Sequence, residues 1–215
     1  MNVAIIRFLG TNCEWDMHHA YTMLGAQTHF VWFADSALPK NTDLVVLPGG
    51  FSYGDYLRCG AIARFAPIMG AVAEFAKKGG RVLGICNGFQ ILLESGLLEG
   101  ALMRNHSGRF VSKMATLCVQ SNDNAFLRGL PKGAHLRIPI AHADGCYYAP
   151  NVQSLREHDQ ILLCYEDNPN GSMHNIAGIC NKEKNIFGLM PHPERAMESL
   201  LGSTDGVALL RNLLC

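Results

Sequence analysis

The sequence has no excess of either charge. Eighteen Lys and Arg balance eighteen Asp and Glu over 215 residues, giving a formal net charge of zero. Nucleic-acid and membrane-surface partners usually require a basic excess, so neither is expected. Long apolar runs are missing too: no stretch approaches the roughly 18 uncharged residues of a membrane span. The opening run from Met1 to Phe8 is interrupted by Arg7 and is too short for a signal-peptide core. The eight cysteines, at 13, 59, 86, 118, 146, 164, 180 and 215, form no CxxC pair, which argues against zinc and iron–sulfur sites, so no metal is expected. A chain of this length does not need disulfide staples; the thiols are expected to be reduced and the protein cytoplasmic. Two nucleotide-binding signatures, G-x-x-x-x-G-K-[ST] and G-x-G-x-x-G, are also absent.

What the sequence does contain is a large apolar fraction: 48% hydrophobic and 17% charged residues, enough for one extensive core. No repeat, low-complexity run or linker interrupts it, so residues 1–215 are read as a single domain. The first half alternates strand and helix signals. Strands are expected at Val3–Phe8, Thr28–Phe33, Asp43–Leu47 and Arg81–Ile85, and helices at Cys13–Leu24 and Asn87–Leu97. Another helix is expected where Ile62, Phe65, Met69, Val72 and Ala76 recur on one face, stopped by Gly79-Gly80. The second half reads as strands at Phe110–Val119, His135–Ala141, Ile161–Glu166, Asn175–Cys180 and Asn185–Met190, then a helix over Asp205–Leu214. The expected architecture is therefore three-layer α/β. A mostly parallel, flavodoxin-like central sheet is flanked by helices, with extra antiparallel strands in the second half.

Three segments, each directly after an expected strand, carry chemistry. Gly84-Ile-Cys86-Asn-Gly88 has the form G-x-C-x-G between strand and helix, the cysteine counterpart of a nucleophile elbow. Such a turn thrusts one side chain into a cleft, and the helix behind it favours thiolate over thiol. The N–H of Asn87 would point where an oxyanion forms. Met190-Pro-His192-Pro-Glu194-Arg195 offers a base, His192, with Glu194 to brace its far ring nitrogen. Leu47-Pro48-Gly49-Gly50-Phe51-Ser52-Tyr53-Gly54 reads as an oxyanion- or substrate-binding loop. Parallel strands would deliver all three to one edge of the sheet.

In that order and spacing, the PGG loop, G-x-C-x-G-x-Q and H-P-E resemble the class I, triad-type glutamine amidotransferases. The run GGFSYGDYLRCGAIA from Gly49 to Ala63 is similar, more closely, to the glutaminase subunits of phosphoribosylformylglycinamidine synthases. So are Gly84 to Leu92, Asn170-Gly-Ser172, Met190 to Ala196, Leu201-Gly-Ser203 and Gly10-Thr-Asn-Cys-Glu14. The resemblance implies that Cys86 attacks the side-chain amide of L-glutamine to form a thioester. His192 would protonate departing ammonia and activate water, and Glu194 would orient it. Gly50 and Asn87 would stabilise the oxyanion, and Gln90 would help hold the substrate. It implies no cofactor in this chain. ATP and Mg²⁺ would be used by a larger synthetase subunit, often joined by a small third subunit, to convert formylglycinamide ribonucleotide to its amidine in purine biosynthesis.

Ala141-His142-Ala143-Asp144-Gly145 departs from the family's expected Ala-His-Gly-Glu-Gly, which leaves the contacts of this segment with the glutamine pocket open. His142 reads equally as a structural and a site residue. His18-His19 splay to different faces of a helix and make poor joint ligands. Arg104, His106 and Arg109 read as a solvated loop and Cys59 as a packed thiol, while Tyr53, Asp55 and Arg58 are candidates for relaying a partner's state. Three rivals remain: an amidotransferase feeding another acceptor, a DJ-1-like thiol hydrolase or redox protein, and a glutamine-binding regulatory subunit.

Overall fold

The structure is a computed structural model and describes residues 1–214. Eleven strands and five α-helices alternate as follows: β1 (Asn2–Arg7), α1 (Glu14–Met23), β2 (Gln27–Trp32), β3 (Leu44–Leu47), α2 (Pro67–Lys77), β4 (Arg81–Ile85), α3 (Asn87–Glu94), β5 (Ala101–Met103), β6 (Val111–Val119), β7 (His135–His142), β8 (Cys146–Tyr148), α4 (Val152–Glu157), β9 (Ile161–Tyr165), β10 (Ile176–Cys180), β11 (Ile186–Leu189) and α5 (Gly206–Asn212). Nine strands form one sheet in the order β2-β1-β3-β4-β11-β10-β9-β6-β7, and β5 pairs with β8 apart from it. From β2 to β11 every pairing is parallel; from β11 to β7 every pairing is antiparallel.

Burial explains this division. Every residue of β3, β10 and β11 is buried, as are all but the first of β4, so these strands lie between covered faces. β7 alternates exposed and buried over most of its length and tolerates Pro139 because it is an edge strand. Helices α1 and α5 pack together on one side of the parallel half, and α2 and α3 lie on the other. No helix among the described residues is long and apolar enough to cross a membrane. The seven described cysteines are unbridged; Cys215 lies outside the described residues.

The structure corrects the sequence reading in a few places. The helix expected from Ile62 starts at Pro67, because the residue before a proline avoids the helical region and Ala66 is extended at φ −62°, ψ 139°. Phe65 therefore leaves the apolar face: it is 73% exposed, with the Arg64 guanidinium 4.4 Å from its ring centroid, and Ile68 is buried on that face. Strands β5 and β8 and helix α4 were not expected; they are three, three and six residues long, too short to show a period. Asn175 lies outside β10 in a left-handed turn at φ 60°.

Helix α3 meets β3 with no space to spare, since a Cβ on Gly88 would fall 1.8 Å from the Leu47 carbonyl oxygen. Gly70, on the exposed side of α2, has nothing within 4 Å of such an atom. Gly88→Ala is expected to cost about 3 kcal/mol or more. Gly70→Ala is expected to stabilise by roughly 0.5–1 kcal/mol. Urea unfolding of the two variants beside the parent checks both.

Candidate active site

The carboxyl ends of β1, β3, β4 and β11 deliver Cys13, Gly49-Gly50, Cys86 and His192 to one edge. Cys86 sits between β4 and α3 with φ 51° and ψ −105°, a conformation that a non-glycine residue adopts only when its surroundings force it. They do so from both sides. Its N–H donates to the Leu189 carbonyl at 2.8 Å, and its carbonyl accepts from the Gln90 N–H at 3.1 Å. A Cβ on Gly84 would fall 2.7 Å from the Gly88 carbonyl oxygen, so the glycines of the elbow are required by packing. The N–H groups of the first turn of α3 lie beside the thiol, without intrahelical partners.

The PGG loop presses on the elbow. A Cβ on Gly49 would fall 2.8 Å from His192 Cε1, 3.0 Å from Cys13 Sγ and 3.5 Å from Cys86 Cβ. Gly50, at φ 152°, would bring a Cβ to 2.7 Å from Thr11 Cα. Asn87 ties the loop to the helix: its Oδ1 accepts the Ser52 N–H at 3.1 Å and its Nδ2 donates to Gln90 Oε1 at 2.9 Å. Gln90 Nε2 donates to the Asp144 carbonyl at 2.8 Å, so both ends of its amide are engaged.

His192 and Glu194 are buried at 2% and 3% exposure, and His192 Nδ1 lies 2.7 Å from Glu194 Oε1. Burial alone would push the imidazole pKa down. The Glu194 carboxylate and the nearby Cys86 and Cys13 thiols outweigh it, and the ring is held well above the usual histidine range. Nε2, the other ring nitrogen, is buried without a well-formed hydrogen bond, although both thiols are close enough to stabilise the charged ring. Cys13, His192 and Glu194 offer donor atoms within 4.8 Å of one another, the one such cluster among the described residues.

The segment that departs from the family pattern borders this site. The Ala141 carbonyl is 3.7 Å from Cys86 Sγ, and Asp144 holds Gln90 through its own carbonyl. His142 is buried, with Nδ1 3.1 Å from Asn105 Oδ1. Burial and the neighbouring charge of His192 lower its pKa to about 4. Asp144 also faces Arg104 and Cys59, each at 3.5 Å, and Arg104 stays exposed in the loop where it was expected. His18 contacts Thr28 while His19 contacts Glu198, in keeping with their divergence. Cys13 is the site residue to which the sequence reading gave no role. Its signal was its position after β1, at the edge where the other loops gather.

The fold and this edge are those of a glutamine amidotransferase domain. A model of the CobB/CobQ-like glutamine amidotransferase domain matches residues 1–204. The chain is 63% identical to the phosphoribosylformylglycinamidine synthase subunit PurQ of Wolinella succinogenes, with 100% of both chains covered. It is 56% identical to that of Campylobacter jejuni, covering 100% of this chain and 96% of the relative. A chain in the structure of PurLQS from Thermotoga maritima superposes with a TM-score of 0.92 at 42% identity, covering 99% of this chain and 97% of that one. The chain belongs to the PurQ family of phosphoribosylformylglycinamidine synthase subunits.

The lowered pKa of His142 predicts a pH effect on stability. The unfolded chain binds a proton near pH 6.5 that the folded chain refuses until about pH 4, so this histidine favours folding above pH 6.5 and the benefit is lost as pH falls between those values. His142→Asn keeps a donor toward Asn105 and removes the titration. Its loss of unfolding free energy between pH 7 and pH 4.5 is expected to be about 2 kcal/mol smaller than the parent's, measured by denaturant melts at both pH values.

Proposed function

We infer that this chain is the glutaminase subunit of a phosphoribosylformylglycinamidine synthase. It hydrolyses L-glutamine to glutamate and ammonia and passes the ammonia to a larger synthetase subunit. That subunit uses ATP and Mg²⁺ to amidate formylglycinamide ribonucleotide in purine biosynthesis, and a small third subunit completes the assembly. The chemistry rests on the convergence of the Cys86 elbow with the buried His192–Glu194 pair. The choice of acceptor rests on the full-length match to PurQ relatives.

Each residue then has a role suited to its setting. Cys86, presented at a helix N-terminus, attacks the amide carbon and forms a γ-glutamyl thioester. N–H groups at Gly50 and Asn87 receive the developing oxyanion. His192 takes the thiol proton at Nε2, gives it to departing ammonia, and then activates water to release glutamate. Glu194 fixes the ring through Nδ1 and stabilises its charged form. Gln90 contacts the substrate by exchanging one of its two present hydrogen bonds. The scheme calls for no metal or nucleotide in this chain, and it suits a single domain over residues 1–215 in the cytoplasm.

The test is glutamate release by the purified chain, alone and with its synthetase. Activity is expected to be low alone and to rise with the synthetase, since a fully formed free site would waste glutamine. Cys86→Ala is expected to abolish it, and Glu194→Gln to lower kcat by about 10²–10⁴. Release that needs Cys86 but ignores the synthetase would remove the purine assignment. No Cys86-dependent release in the complex would remove the glutaminase itself.

A route for that stimulation is built into the PGG loop. Tyr53, Asp55 and Leu57 all have positive φ, and Arg58 Nε and Nη2 reach Glu94 at 2.5 and 2.7 Å, joining the loop to the last residue of α3. Arg58→Ala is expected to reduce stimulation by the synthetase while leaving the activity of the isolated chain in place. Unchanged stimulation, read from glutamate release at saturating synthetase, would remove this role.

A further inference from the structure

The site holds a second thiol, and its surroundings are too specific for filler. Cys13 is 2% exposed at the start of α1, and its N–H donates to the Gly49 carbonyl at 3.2 Å, which fixes it against the PGG loop. Its Sγ donates to Asn12 Oδ1 at 3.2 Å and receives Arg195 Nη2 at 3.0 Å. Arg195 is itself held by Asp16 Oδ2 at 3.2 Å. The sulfur therefore has little freedom. It lies within 4.8 Å of donor atoms of both His192 and Glu194, and it shares with His192 Cε1 the space in front of Gly49.

A second observation points the same way. Hydrogen bonding at Nδ1 restrains the distance from His192 to Glu194 and Nε2 has no well-formed bond, so the tilt of the buried ring about that contact is set by the atoms packed against it. A wall is needed on the side facing β1. The Gly49 backbone and Cys13 Sγ form it together, since a Cβ on Gly49 would fall 2.8 Å from His192 Cε1 and 3.0 Å from that sulfur. Burial raises the Cys13 pKa, with His192 and Arg195 acting against it, so the group beside the ring is a neutral thiol. A neutral thiol packs against an imidazole that cycles between neutral and charged forms without competing with Cys86 as nucleophile.

We propose that Cys13 is a positioning residue for His192. Its sulfur, locked by Asn12 and Arg195, keeps the imidazole in line with Glu194 so that Nε2 stays aimed at Cys86. This rests on the glutaminase reading above, so its test includes a measurement that needs no glutamine.

In Cys13→Ala the ring gains room to turn. In the complex with the synthetase, kcat is expected to fall about 10-fold with KM within twofold of the parent, as for a displaced catalytic group. The rate of Cys86 alkylation by iodoacetamide at pH 7, followed on the Cys86 peptide by mass spectrometry, is expected to fall in parallel. Cys13→Ser, which keeps the contacts to Asn12 and Arg195, is expected to recover most of both, with thermal melts checking that each variant is folded. Unchanged kcat and alkylation in Cys13→Ala overturn the proposal, as does a loss matched by rising KM and a falling melting temperature. If the parent releases no glutamate yet its alkylation rate still depends on Cys13, the positioning role stands and the glutaminase reading falls.

Discussion

The backbone of Cys86 is the constraint around which this molecule is arranged. Holding a non-glycine residue at φ 51°, ψ −105° costs on the order of 1–3 kcal/mol, and an isolated strand–helix junction would relax to relieve it. Three features prevent that. The Cys86 N–H is bound by Leu189 on β11, which prolongs the β4–β11 ladder beyond Ile85. Gly84 and Gly88 let the first turn of α3 descend onto β3 until the helix and the Leu47 carbonyl are in contact. Finally, every residue of α3 from Asn87 to Leu93 is buried, so the helix has no exposed side toward which to rotate. The strain falls where the thiol must be presented, and the surrounding core keeps it there.

Presenting one thiol does not complete a site, and the antiparallel half of the sheet supplies the rest. β7 lies five places from β4 in the strand order. In a flat sheet, with neighbours about 4.8 Å apart, it would be roughly 24 Å away. Instead Ala141, in β7, lies 3.7 Å from Cys86 Sγ, and the Pro139 carbonyl accepts the His192 N–H at 2.8 Å. The sheet therefore coils back on itself, in the sense that twist and antiparallel pairing allow. The β10–β9 pairing shifts register between Ile176 and Ile179, and such irregularities increase local bending. The parallel half carries Cys86 and His192, and the antiparallel half closes over them.

This division sets what could be read from the sequence. Cys86, His192 and Glu194 were legible because each lies in a local pattern directly after an apolar strand, and parallel strands bring such positions to one edge. The core strands were legible for the same reason, as short apolar runs with turn residues at their ends. Phe65 was misplaced because its spacing fits a helix, while Pro67 ends that option two residues later. The relation of β7 to the elbow was not legible, since coiling is a property of the whole sheet. Nor were the bonds from Arg195 to Cys13 and Asp16, which join residues about 180 positions apart.

Cys13 and Cys86 together illustrate how one chemical group is given two settings. Both are buried thiols at the carboxyl edge of the parallel half, one after β1 and one after β4 with β3 between them, and both lie beside His192. Cys86 has a strained backbone and a helix start behind it. Cys13 has ordinary backbone angles at φ −102°, ψ 10°, a carbonyl acceptor in Asn12, and a pKa raised by burial. Arg195 would favour a Cys13 thiolate, yet it is shared with Asp16, which draws off part of its field. Environment, not residue type, separates the two thiols, and it does so by backbone geometry first and by charge second.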